Sequence, residues 1–81
     1  MKPYRNEFKV YNTDDVIESD CNSIAFKNDG TANAVINGIT ITTGNSVSID
    51  GNANEIDRTI YNLSFGTGTA QLTVIRKLYW W

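Results

Sequence analysis

Histidine is absent from this chain of 81 residues, and cysteine, methionine and proline occur once each. Without histidine, the usual general base, the usual activator of a nucleophile and the commonest metal ligand are all missing. The single cysteine, Cys21, forbids an intrachain disulfide and a zinc site built on several thiolates. It has no imidazole to activate it, so it reads as a small buried hydrophobe. Seven basic and nine acidic side chains give a net charge of -2. That balance lacks the positive surplus by which proteins neutralise nucleic-acid phosphates, so nucleic acid is not an expected partner. No apolar run approaches the roughly 18 residues of a membrane helix, so no membrane span is expected. The charged stretch Met1–Glu7 leads into no apolar segment, so no secretory signal is expected either. Acid–base work would fall to isolated carboxylates such as Glu55 and Asp57. The expectation is a protein that is not an enzyme and that uses no cofactor.

What is present points to strands and turns. Ten asparagines and nine threonines occupy 19 of the 81 positions, beside nine isoleucines and five valines but only three leucines. Beta-branched side chains pack well on a pleated surface and lose rotamer freedom in a helix. Asparagine and glycine accept the positive φ angles that tight turns need. A period of two recurs along the chain, and a period of 3.6 does not. Phe8 and Val10 alternate with Glu7, Lys9 and Tyr11, giving a first short strand, and Ile24 and Phe26 alternate with Ala25 and Lys27, giving a second. Asn28-Asp29-Gly30-Thr31 reads as a turn in which Gly30 takes the left-handed conformation. Asn37-Gly38, between Ala34-Val35-Ile36 and Ile39-Thr40-Ile41, is the pair most favoured in a two-residue hairpin. Further strands follow around Val47 and Ile49, around Tyr61, Leu63 and Phe65, and from Gln71 to about Tyr79.

Seven short strands with frequent turns predict an all-β fold in one domain spanning 1–81. The architecture is a small antiparallel β-sandwich of immunoglobulin-like or jelly-roll-like type, with a small barrel as the alternative. Residues 14–20 hold four acids in seven positions and read as a solvated loop, or as one helical turn through the capping-box spacing of Asp15 and Glu18. Asp50, Asn52 and Asn54, followed by Asp57, have the alternating oxygens of a calcium loop. The glycine and glutamate of that motif are replaced by Glu55 and Tyr61, so a polar loop without metal is the expectation.

A domain this small buries only about 60% of the surface its unfolded chain exposes. The ends offer extra contacts. Tyr79, Trp80 and Trp81 form an aromatic tail (79–81) suited either to docking on a partner or to closing an end of the sandwich. Pro3-Tyr4-Arg5 lies in a candidate extended arm (1–7) suited to strand addition. Arg76 and Lys77 would set a basic patch beside the tail, opposite the acidic 14–20 segment. Tyr4, Arg5, Arg76, Lys77, Tyr79, Trp80 and Trp81 are thus the candidate docking residues.

The succession Phe26-Lys27-Asn28-Asp29-Gly30, Ile36-Asn37-Gly38-Ile39, Thr43-Gly44-Asn45-Ser46, Gly51-Asn52, Tyr61-Asn62-Leu63-Ser64-Phe65 and Leu72-Thr73-Val74-Ile75-Arg76-Lys77 resembles small all-β virion proteins of tailed phages. The phages in question infect Bacteroidetes-type hosts and include the crAss-like phages. The resemblance spans roughly residues 23–79 and lies in turn spacing and composition. It implies a multi-copy capsid auxiliary or decoration protein, made in the bacterial cytoplasm and located in the virion. Its partners would be capsid or tail subunits or further copies of itself. A tail or fibre component, a carbohydrate or host-surface binding module, and a small single-stranded nucleic-acid-binding barrel are the alternatives.

Overall fold

The computed structural model describes residues 2–79. Eight strands follow one another: β1 (Tyr4–Tyr11), β2 (Asp15–Glu18), β3 (Ser23–Asn28), β4 (Ala34–Ile36), β5 (Ile39–Ile41), β6 (Ser46–Ile49), β7 (Ile60–Phe65) and β8 (Leu72–Tyr79). They form two four-stranded sheets, ordered β1-β8-β3-β6 and β2-β7-β4-β5. Every pairing is antiparallel, and β1 with β8, β2 with β7, β3 with β6 and β4 with β5 are nested pairs. The chain is therefore one long hairpin, turning at Asn37-Gly38, that has been rolled so that alternate pairs fall in opposite sheets. This wiring is the eight-stranded jelly roll. The sheets do not close on each other, so the barrel alternative is not realised.

Local chemistry explains most of the turns. Asn37 and Gly38 have φ of 46° and 86°, the left-handed pair that a type I′ hairpin demands. Gly30 needs its missing side chain for another reason than expected. It does not have positive φ; a Cβ there would lie 2.2 Å from the Thr69 carbonyl oxygen and 2.7 Å from the Gln71 nitrogen. Close backbone approach, not turn conformation, demands glycine at this position.

The core lies between the sheets. Ile24, Phe26, Leu72 and Val74 face it from one sheet, and Ile17, Ile36, Tyr61 and Leu63 from the other. Phe26 and Tyr61 meet edge-to-face across the two layers, 5.1 Å between centroids. Such a pair adds about 0.5–1.5 kcal/mol beyond the area it buries.

Two expectations are corrected, and the facing of β1 is decided by its partner. Residues 15–18 are a strand and not a loop or helical turn, which brings the strand count to eight. Ile17 is the reason: its burial in the core outweighs the charge of Asp15 and Glu18, which stay exposed on either side. Residues 4–7 are not a detached arm, because they continue β1 and pair with 76–79 of the same chain. Phe8 and Val10 do not face the core. Leu72 and Val74 set the inward face of β8, and the register places Phe8 opposite Ile75 and Val10 opposite Thr73, on the outward face.

Candidate functional site

The described docking residues converge at one end of the β1–β8 pair, where Tyr4 opposes Tyr79, Arg5 opposes Leu78, and Asn6 opposes Lys77. Tyr4, Lys77 and Tyr79 share the outward face. The two tyrosine rings stand 5.5 Å apart and tilt by 56°. Lys77 Nζ lies 4.3 Å from the Tyr4 ring centre and 5.4 Å from that of Tyr79, a cation held over two π faces. Along the same face run Phe8, Val10 and Ile75. Phe8 is 69% exposed, which makes the strip an uncovered apolar surface on a small domain. Trp80 and Trp81 lie outside the described residues.

Arg76 does not join Lys77 in a basic patch. Neighbouring strand residues point to opposite faces, so Arg76 turns inward. Its guanidinium donates to the carbonyls of Ser19 (2.9 Å) and Glu18 (3.4 Å) and to the Glu7 carboxylate, linking β8 to β1 and to the end of β2. Arg5 donates to the same carboxylate at 3.0 and 3.2 Å. The Arg5 hydrogen bond, against some opposition from burial and with help from Arg76, holds the Glu7 carboxyl below its ordinary range. This cluster lines a groove of about 660 Å³ between the β1 and β2 edges, where Lys9 and Arg76 face Glu7, Glu18 and Asp20. Both signs of charge are present, and no continuous basic track runs through it.

The Asp50–Asp57 loop is tied down from within. Asn22 is 2% exposed and its side-chain amide donates to the carbonyls of Glu55 (2.6 Å), Asn52 (3.2 Å) and Ala53 (3.3 Å). Glu55 accepts from the backbone and side-chain nitrogens of Asn52. Asp57 turns towards the protein, accepting from Thr59 N–H at 2.8 Å and Tyr61 O–H at 3.0 Å, with Ser19 Oγ 3.1 Å away. Asp50, Asn52, Asn54 and Asp57 thus serve separate contacts or solvent. Among the described residues, no three histidine, cysteine, aspartate or glutamate side chains gather as metal ligands.

Cys21 is fully buried beside this loop, and burial followed by the Asp57 charge pushes its thiol up to about 11. It is a protonated packing group at neutral pH. Asn28, also fully buried, donates to the carbonyls of Ala32 and Ile41, both at 2.8 Å, and accepts from Gly30 N–H. Sequence reasoning missed Asn22 and Asn28 as anchors. They flank β3, Asn22 just before it and Asn28 at its end, where the carbonyls of neighbouring loops need donors. Among the described residues, no buried side-chain nitrogen or oxygen lacks a partner.

The most distinctive feature among the described residues is the exposed β1–β8 face. No family model matches the chain, and no curated protein and no solved structure matches it.

Proposed function

We propose that this protein is a non-enzymatic structural subunit of a phage virion, an auxiliary or decoration protein of the capsid that docks on other virion subunits. The observation that carries this proposal is the outward face of β1 and β8. There, Tyr4, Phe8 and Val10 expose apolar area beside half-buried Ile75 and Lys77, on a domain with a small core. Covering that strip removes apolar surface from water at about 25 cal/mol per Å², a gain this fold cannot obtain internally. Jelly rolls recur in viral capsid proteins, which supports the proposal at the level of fold analogy. A tail or fibre subunit would use the same surface.

Carbohydrate binding has less support. The Tyr4 and Tyr79 rings are tilted, and Lys77 lies against the Tyr4 face, so they offer no flat platform for a sugar ring. Binding of single strands has less still, because the main groove carries mixed charge.

The test uses gradient-purified virions whose genome encodes this chain. Quantitative mass spectrometry is expected to find the chain at a copy number comparable with a capsid or tail protein. Tyr4→Glu, which places a charge in the apolar strip, is expected to deplete it from particles. Virions that lack the chain, or that incorporate the variant equally, overturn the proposal.

A further inference from the structure

The two sheets present four edges, at β1, β2, β5 and β6. The strands β2, β5 and β6 have only four, three and four residues. The β2 edge also lies in the acidic 14–20 stretch, and such charge discourages further pairing. β1 is different. It has eight residues, and one side of it has no described neighbour.

Hydrogen-bond alternation decides which groups of β1 face that open side. The Lys77 carbonyl accepts from Asn22 N–H at 2.8 Å, and the Gln71 carbonyl from Asp29 N–H at 3.0 Å. Odd-numbered residues of β8 therefore bond towards β3. Its even-numbered residues bond towards β1, at Arg5, Glu7, Lys9 and Tyr11. The backbone N–H and C=O groups of Asn6, Phe8 and Val10 consequently point to the open edge, while their side chains stand on the outward face.

We propose that this edge pairs with the same edge of a second copy, antiparallel about a two-fold axis at Phe8, which joins the two sheets into one of eight strands. Edge hydrogen bonding requires even-numbered residues to oppose even-numbered ones, so only a few registers are open. Centred on Phe8, Asn6 faces the second copy's Val10, and Glu7 faces the second copy's Lys9 on both sides of the axis. Phe8 then packs against its counterpart. Centred on Glu7, that glutamate would meet itself and Arg5 would meet Lys9; centred on Lys9, lysine would meet lysine. Centring on Asn6 shortens the pairing to residues 4–8. The Phe8 register is the long one in which no charge meets its like, and opposite charges across strands are favourable. An isologous contact of this kind is self-limiting, because it consumes the one long edge among the described strands.

This pairing rests on the reading of the chain as an assembly subunit, and it specifies how two copies meet within the assembly. The purified full chain is expected to sediment as a dimer, at twice its 9.0 kDa mass. Phe8→Lys, an exposed position, is expected to give a folded monomer with an unchanged far-UV circular dichroism spectrum. Phe8→Cys is expected to cross-link rapidly under mild oxidation, because the two thiols sit at the axis. Val10→Cys is not, because its two copies would be offset by four residues, roughly 14 Å at the strand rise. A monomeric full chain, a dimeric Phe8→Lys, or equal cross-linking of the two cysteine variants overturns the two-fold. A monomer that still enters virions removes this pairing and leaves the assembly role standing. A dimer absent from virions does the reverse.

Discussion

The Asp57 carboxylate lies 3.0 Å from the Tyr61 hydroxyl, so an acid from the longest loop is anchored on an aromatic of the core. Burial alone would raise the Asp57 pKa. Hydrogen bonds from Thr59, Tyr61 and Ser19 outweigh it and hold the group below its ordinary 3.8. Tyr61 is displaced in the other direction, pushed up by burial and by its bond to Asp57.

A depressed carboxyl pKa contributes stability that is present above the unfolded value and lost as pH falls through the folded one. Asp57 and Glu7 both have this sign, so the protein should weaken below pH ~4, near the ordinary carboxylate values. Asp57→Ala is expected to cost about 1–3 kcal/mol at neutral pH, because Tyr61 and Thr59 lose their acceptor. Asp57→Asn should also shrink the drop in melting temperature between pH 6 and pH 3. An equal drop in both proteins would refute the role.

Gly30 tests the close approach of two loops. Its added Cβ would strike backbone, at the Thr69 carbonyl, and not a side chain that can swing away. Gly30→Ala is expected to destabilise by about 1–3 kcal/mol or more in urea unfolding, as overpacking does. At Gly38 a Cβ would meet nothing within 4 Å, but φ is 86°. Gly38→Ala there should cost only the backbone term, about 1–2 kcal/mol.

Arg76 and Lys77 should behave differently despite equal charge. Arg76→Ala removes the donor of the Ser19 carbonyl and the partner of Glu7, and a loss of about 1–3 kcal/mol is expected. Lys77→Ala removes a cation over one exposed and one half-buried ring at the surface, for which about 0.5–1 kcal/mol is expected. Thermal melts of the two variants rank them, and the opposite ranking would contradict the inward course of Arg76.

Cys21 should resist thiol reagents in the folded protein. Burial and a pKa raised to about 11 leave little thiolate at pH 8. Ellman's reagent is expected to react slowly in buffer and at once in denaturing urea. Rapid labelling of the native protein would show that the loop against Cys21 opens readily.

The strands carrying Ile24 and Phe26, Tyr61 and Leu63, and Leu72 and Val74 are legible from alternation alone, because those side chains have a single apolar set to bury. The Asn37-Gly38 turn is equally legible, since few other pairs tolerate two positive φ angles. β2 is less so: its one buried residue, Ile17, is outnumbered by neighbouring acids. For the docking set, the spacing of Tyr4, Lys77 and Tyr79 along the chain says nothing of their meeting, which depends on the β1–β8 register.

The chain's composition and alternation determined an all-β fold without histidine-based chemistry, because both follow from residue types and their local spacing. Only tertiary structure decided that Phe8 and Val10 face outward, that Arg76 turns in while Lys77 turns out, and that β1 ends a sheet. A strand's two faces are equivalent until its partner is known. The jelly-roll order of partners, built from contacts as distant as Tyr4 with Tyr79, is what makes that choice.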